Sequence, residues 1–311
     1  MVLNPVRSRA VAAVCLGALV MVACESDSDS APDKAAKTVV IGSAPFSESV
    51  IVANMYAGAL EAKGYQVTVR KGLGQREIYL PALQKGGADN GIDLVPEYVS
   101  TLLEFVNKNA GQASGNLEDS VTKLRAALDG IGLTALNASP AADQNAFAVT
   151  RATADRLRLK KLSDLTPVAG QLTLGAGPEC PTRPFCQPGL EQTYGLRFKT
   201  FRVLDSGGPK TMEALSAGDI DVGLVFSSDG AVSARNLVVL EDDKKLQAVD
   251  NLIPAIRKDV VDNDIRAVLN RVSAELTTED LIQLNKRADV DKADPANLAR
   301  EWLTLHGFTK K

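Results

Sequence analysis

Ala82-Leu83-Gln84-Lys85-Gly86, followed by Ile92-Asp93-Leu94-Val95, is echoed later in the chain by Ala214-Leu215-Ser216-Ala217-Gly218, followed by Ile220-Asp221-Val222-Gly223. Each copy reads as a helix that stops at glycine, an acidic step, and an apolar run of strand length. The first run leads to Tyr98 and the second ends at Phe226. Two α/β units of this kind bring the C-terminal ends of their strands to a shared crevice, where ligands of open α/β sheets bind, and both aromatics then lie at its mouth. Helix–glycine–strand joins are common, so the echo alone leaves coincidence open.

The surrounding sequence alternates in the same manner. Thr38 to Ile41 reads as a strand closed by Gly42-Ser43, and Ser47-Glu48 opens a helix to about Lys63 with Val50, Ile51, Tyr56 and Leu60 on its apolar face. Tyr65 to Arg70 is a second strand. Gly72 and Gly74 then turn the chain into a helix over 76–85, Ile92 to Pro96 is a strand, and a helix over 118–128 and a strand over 132–136 follow. A second set has strands at 146–150, 172–175, 200–204 and 222–226 and a helix at 209–215. Late helices cover 262–276, 278–287 and 295–305, the middle one opening at Thr278-Glu279-Asp280 with acids at its positive end. Such alternation predicts parallel strands layered with helices, an α/β fold.

The N-terminus bounds the location. Arg7 and Arg9 precede an apolar stretch from Ala10 to Ala23, short of the ~20 residues that span a bilayer, and this reads as an export signal over 1–23. Met21-Val22-Ala23-Cys24 resembles a bacterial lipobox, which makes Cys24 the expected lipidation site on the outer face of the cytoplasmic membrane; plain secretion with Cys24 incidental is the alternative. Residues 24–37 are a charged tether with nothing to bury. Of the 4 Cys, only Cys180 and Cys186 fall in the folded body, in a loop rich in proline, and an oxidising compartment predicts a disulfide between them. The single histidine, His306, reads as a surface residue, which excludes His-rich metal sites and Ser-His-Asp chemistry. A net charge of -3 over 311 residues, without a basic block, gives no sign of a nucleic-acid partner.

A distributed set of segments carries a family resemblance: Gly42 to Glu48 (GSAPFSE), Asn54-Met55-Tyr56, Leu60 to Tyr65, Ile92 to Tyr98, Asp205-Ser206-Gly207, Ala214-Leu215, Phe226 to Gly230 and Leu237 to Asp243 (LVVLEDD). In their order and spacing they resemble the substrate-binding lipoproteins of glycine betaine/choline-type osmoprotectant ABC importers. The resemblance implies a two-lobed periplasmic-binding-protein fold with the ligand cleft between the lobes, 38–140 plus 235–311 forming one lobe and 141–234 the other. It also implies an ABC permease and its ATPase as partners and closure around a small solute rather than catalysis; a monomer without cofactor or metal is expected beside it.

Members of that family hold a quaternary ammonium among tyrosines, whose ring faces attract a cation that cannot donate hydrogen bonds. By resemblance Ser43, Ala44 and Phe46 lie in the first binding loop, Tyr98 and Thr101 in the second, and Phe226 and Ser227 stand at the second lobe's strand end; Arg183, in the disulfide loop, is a candidate anion contact. The chain departs from the pattern at Ala44, Asn145 and Asn251, the last two replacing expected aromatics, unless the placement is shifted and Tyr79 or Tyr194 supplies a ring. Gln144 and Asn145, with Gln75, Arg76 and Glu77 at a helix start, add hydrogen-bonding groups. Arg76-Glu77 reads equally as a solvated helix terminus, and Asp229 either as a ligand contact or as a helix cap. Beside osmoprotectant uptake, the residues leave open a receptor for a hydroxylated or aromatic solute, an enzyme using Glu77 and Asp229 as an acid pair, and a structural lipoprotein.

Overall fold

The computed structural model describes residues 37–309. The expected export signal, Cys24 and all but the last residue of the tether lie outside them. In chain order the strands are β1 (Thr38–Gly42), β2 (Gln66–Arg70), β3 (Leu94–Tyr98), β4 (Leu133–Ala135), β5 (Asn145–Thr150), β6 (Thr173–Ala176), β7 (Thr200–Val203), β8 (Val222–Phe226), β9 (Leu237–Leu240) and β10 (Leu252–Arg257). The helices are α1 (Ser47–Glu61), α2 (Arg76–Lys85), α3 (Val99–Val106), α4 (Leu117–Asp129), α5 (Arg151–Leu157), α6 (Gln187–Tyr194), α7 (Pro209–Ala217), α8 (Ala231–Ala234), α9 (Asn263–Glu275), α10 (Thr278–Asp289) and α11 (Pro295–Leu305).

The strands form two five-stranded sheets, ordered β2-β1-β3-β10-β4 and β7-β6-β8-β5-β9. The two orders correspond strand for strand. In each, a parallel set (β2, β1, β3 or β7, β6, β8) meets one antiparallel strand, β10 or β5, which is the first strand after a crossing from the other lobe. The repeated Ile-Asp step explains part of the likeness. Asp93 accepts the Val40 N–H at 2.8 Å and Asp221 accepts the Thr173 N–H at 2.9 Å, so each acid ties its strand to the parallel neighbour. The isoleucines lie over glycines of those neighbours: a Cβ on Gly42 would sit 2.4 Å from Ile92 Cδ1, and one on Gly175 would sit 2.5 Å from Ile220 Cδ1.

The first lobe's core wraps around α1. Ile51, Val52, Met55, Tyr56 and Leu60 are buried on more than one face of that helix, between the sheet and α9, α10 and α11, as a helix apolar most of the way round requires. Asp262, Thr277 and Asp294 cap these last helices; Thr277 forms a capping box with Asp280, one residue ahead of the expected start. The second core gathers Phe147, Leu162, Leu174, Leu190, Tyr194 and Leu224 around the Cys180–Cys186 disulfide.

The expected return to the first lobe at 235 falls too early. Leu237–Leu240 pairs with β5 as the edge of the second sheet, and the chain re-enters the first sheet only at β10. Both faces of LVVL are covered at the second sheet's edge: Leu240 is buried with Phe147 and Leu174 on one side and Leu237 with Met212 and Leu215 on the other, while Val239 stays out. The two crossings run side by side, with the Asp143 N–H donating to Asp250 O at 3.0 Å and the Leu252 N–H to Ala141 O at 2.9 Å.

Candidate functional site

The C-terminal ends of β3 and β8 face one another across the lobes and carry Tyr98 and Phe226. Phe46, the residue before α1, stands between them, its ring centroid 6.4 Å from that of Tyr98 and 6.0 Å from that of Phe226. These rings line a cavity of about 90 Å³, shared with Ala44, Gln75, Arg76, Thr101, Asn145 and Arg183 among the residues singled out in the sequence. The disulfide loop supplies Pro184 and Phe185 to the same wall, and Tyr79 and Phe105 come from the first lobe.

Most polar groups of the cavity are already paired. Arg76 holds Glu97 with a two-pronged contact, Nε to Oε1 at 2.9 Å and Nη2 to Oε2 at 2.7 Å, and Nη2 also donates to Thr101 Oγ1. Glu97 is fully buried and further accepts Tyr79 O–H at 2.7 Å and the Tyr98 N–H at 3.0 Å. Burial pulls Arg76 down, but the Glu97 charge and hydrogen bond, together with Tyr79 and Asp250, outweigh it and raise Arg76 above the ordinary arginine range. Arg183 donates to Glu77 at 2.9 Å and lies over the Phe105 ring, and burial followed by repulsion from Arg76 lowers its pKa. Glu179, which sequence reasoning missed, accepts Ser206 O–H through Oε1, while its buried Oε2 has no partner among the described residues.

Behind the rings lies an acidic network that joins the lobes. Glu48 accepts Tyr98 O–H on Oε1, and on Oε2 it accepts Ser228 O–H at 2.7 Å and Asn285 Nδ2 at 2.6 Å. Burial raises Glu48 despite these donors, and burial together with the Glu48 charge raises Asp143 well above the carboxylate range. Asp250 accepts the Ser100 and Thr101 N–H groups, yet burial still pushes it up to about 7. Glu48 falls in a quoted segment, but only its contacts, across 180 and 237 residues of chain, reveal what it does.

Several expected site residues stand elsewhere. Ser43 is buried and accepts the Gly72 N–H, shaping the loop rather than lining the cavity. Glu77 reaches the cleft only through Arg183. Gln144 donates its amide to Ala248 O and its N–H to Ser227 Oγ, so both residues tie the crossing together. Asp229 caps α8 through the Ala231 N–H and lines a second cavity, which leaves Glu77 and Asp229 without a common chamber for acid–base work. Asn251 is spent on Ser139 O, and Tyr194 is buried in the second lobe, donating to Asp242. Among the described residues no group of His, Cys, Asp and Glu is arranged to hold a metal ion.

Two α/β lobes, joined by paired crossings around a cleft of aromatic and hydrogen-bonded side chains, define a two-lobed solute-binding protein. Residues 37–304 match the model of the substrate-binding domain of ABC-type glycine betaine transport systems, and the chain belongs to that family. It is 26% identical over 306 residues to the glycine betaine-binding protein YehZ of Escherichia coli, covering 94% of this chain and 97% of the relative. To the carnitine transport binding protein OpuCC of Listeria monocytogenes it is 24% identical, over 87% of each chain. A crystal structure described as a glycine betaine/carnitine/choline ABC transporter superposes with a TM-score of 0.68 at 25% identity, over 87% of this chain and 99% of the other. The chain is therefore the solute-binding component of an ABC importer of the osmoprotectant family, a binding protein rather than a catalyst, serving a permease and its ATPase.

Proposed function

We propose that the solute is a small quaternary-ammonium osmoprotectant of the glycine betaine, choline or carnitine kind. Its cationic head would lie among Phe46, Tyr98 and Phe226, and its polar end would reach toward Arg183, Thr101 and Gln75. The convergence of three aromatic rings, 6.0 and 6.4 Å apart, carries this reading, since ring faces are the groups that attract an onium lacking N–H. The names of the relatives support it. Calorimetric titration of ligand-stripped protein with glycine betaine, choline and carnitine, beside polyols, sugars and phenolic compounds, tests it. Heat from the hydroxylated set alone would sink it. That second reading draws on Glu179 Oε2, an unpartnered acceptor suited to a solute hydroxyl, and on the amides of Gln75 and Asn145 at the same wall.

We further infer that closure turns about the crossings at 141–145 and 248–252. The lobes touch through Ser228–Glu48, through Gln75 Nε2 and Ser206 Oγ at 3.2 Å, and through Arg183–Glu77, contacts suited to a closed state. Small-angle scattering should show contraction on solute addition; an unchanged particle at saturation overturns the hinge. The same reading makes the protein a monomer tethered through diacylglycerol on Cys24. Mass spectrometry of the native N-terminus and light scattering of the soluble body test those two points.

A further inference from the structure

Glu48 is the second residue of α1 and is buried, and it is not among the residues that line the three-ring cavity. Its two oxygens are divided between the lobes. Oε1 accepts Tyr98 O–H at the end of β3, and Oε2 accepts Ser228 O–H at 2.7 Å, just past the end of β8. Asn285 of α10 braces the second oxygen, donating to it at 2.6 Å and to the Ser228 carbonyl at 3.2 Å. An acid in the first turn of a helix can serve that helix's own N–H groups. The partners of Glu48 are instead three side chains that stand 50, 180 and 237 residues away in the chain.

Each oxygen governs one ring. The Tyr98 hydroxyl donates to Glu48, which fixes the far end of that ring, and Phe46 immediately precedes the helix that carries Glu48. A phenol that donates to a carboxylate also gains electron density, and the ring face is what attracts an onium. Phe226 belongs to the other lobe. A Cβ on Gly207 would sit 2.8 Å from Phe226 Cδ2, so the ring rests against second-lobe backbone and travels with it. Ser228 follows closely on that ring and is anchored on its other side by Asp143, which accepts its N–H at 3.0 Å. Wherever the Ser228 hydroxyl is caught, the Phe226 ring comes to rest nearby. Tyr98 and Asn285 can hold Glu48 with the first lobe alone, whereas Ser228 reaches it only when the lobes meet.

We propose that Glu48 is a positioning residue for solute capture: one oxygen holds the Tyr98 ring in place at all times, and the other clamps the Phe226 strand end, through Ser228, when the cleft closes. The role rests on the reading of the three-ring cavity as the solute site and adds to it a residue outside that cavity. Its consequence is kinetic. An open cleft admits solute without the Ser228 contact, so the contact governs escape rather than entry. A hydrogen bond to a buried charged group is strong enough for its loss to be read in a rate.

The test uses the mature protein with radiolabelled glycine betaine and, separately, radiolabelled sorbitol, by equilibrium dialysis and by rapid filtration after a chase of unlabelled solute. Ser228→Ala should speed dissociation about tenfold and change association by less than about twofold. Tyr98→Phe, which keeps the ring and deletes its hydroxyl, should weaken binding about tenfold. The two hydroxyls meet different oxygens of one carboxylate, so the double variant should lose about thirtyfold, short of the roughly hundredfold product expected of independent sites. Glu48→Leu should match the double variant to within about threefold, with circular dichroism reporting whether it folds; the two hydroxyl deletions decide the matter even where it does not. Unaltered dissociation in Ser228→Ala, or a double variant that reaches the full product, would overturn the role of Glu48. A parent protein that retains sorbitol and not glycine betaine counts against the onium reading alone, and the same variants are then read with sorbitol. Retention of neither would overturn the ring cavity as the solute site, and the role of Glu48 with it.

Discussion

Replacing Arg76 by methionine separates two roles that the sequence left side by side for this residue. Arg76 supplies two of the donors on Glu97 and, among the described residues, its only contacting cation; after substitution, Glu97 keeps Tyr79 O–H and the Tyr98 N–H. The Glu97 side chain is fully buried, so water cannot replace the lost guanidinium. Breaking a buried pair from one side costs about 3–5 kcal/mol. For a body of this size that corresponds to a fall in Tm of about 10 °C. Arg76→Lys should recover only part of it, because an ammonium cannot make the two-pronged contact. Replacing both partners, Arg76→Met with Glu97→Leu, should recover most of it, since no charge is then left stranded. Thermal denaturation followed by circular dichroism reads all three variants, and titration with glycine betaine reads the same samples. A Tm within about 2 °C of the parent for Arg76→Met, together with lost solute binding, would refute the reasoning and make Arg76 a ligand contact instead of a support for the wall.

Removing one ring of the first cavity, as in Phe226→Ala, should weaken a quaternary ammonium by about 2 kcal/mol, roughly thirtyfold, measured calorimetrically. A hydroxylated solute should lose less, and equal losses would count against the cage. Asp250 is held near pKa 7, above its ordinary value, so the folded state keeps a proton that the unfolded chain has lost; stability therefore falls as pH rises from about 4 to 7 and then levels off. Asp250→Asn should flatten that slope by up to about 1.4 kcal/mol per pH unit, read from urea midpoints at successive pH values, and an unchanged slope would contradict it. Cys180 and Cys186 are 6 residues apart, so opening their bridge in Cys186→Ser should cost only about 2 kcal/mol of stability by closure entropy. The loop carries Arg183 and Phe185, so solute affinity should suffer more than the modest change in Tm indicates; an unaltered affinity would refute this.

The elements legible in the sequence are those with a local cause. The runs at 92–95 and 220–223 announced β3 and β8, and α2 and α11 begin and end where glycine and proline say they should. β10 was missed because LIPAIR carries Pro254, which argues against a central strand. In the structure Pro254 lies opposite Pro96 of β3, so at that pair neither strand asks the other for an N–H. α3 was missed because Val99, Thr101 and Phe105 give it weak helix propensity; its burial against α4 and the sheet decides instead. At the site the rings were legible, but the pairings were not. Glu97 meets Arg76 across 21 residues of chain, and Asp143 and Asp250 meet the network only through the crossings. Ala44 shows the reverse case: its N–H donates to Ser49 Oγ and its small side chain leaves room beside Phe46, so the departure from the family pattern shapes the wall without adding a charge.

The placement of β10 sets an order of events in the life of the chain. The second sheet is contiguous, since β5 to β9 lie between Asn145 and Leu240, and it can be completed as soon as that stretch is available. The first sheet cannot. Between β3 and β4 it needs β10, and its helix α1 needs α9, α10 and α11 for cover, all of which are synthesised after the entire second lobe. A nascent chain that has produced only residues up to 140 therefore presents an unpaired β3 edge and a bare apolar α1, a fragment fit to be held by a chaperone and threaded onward rather than to fold early.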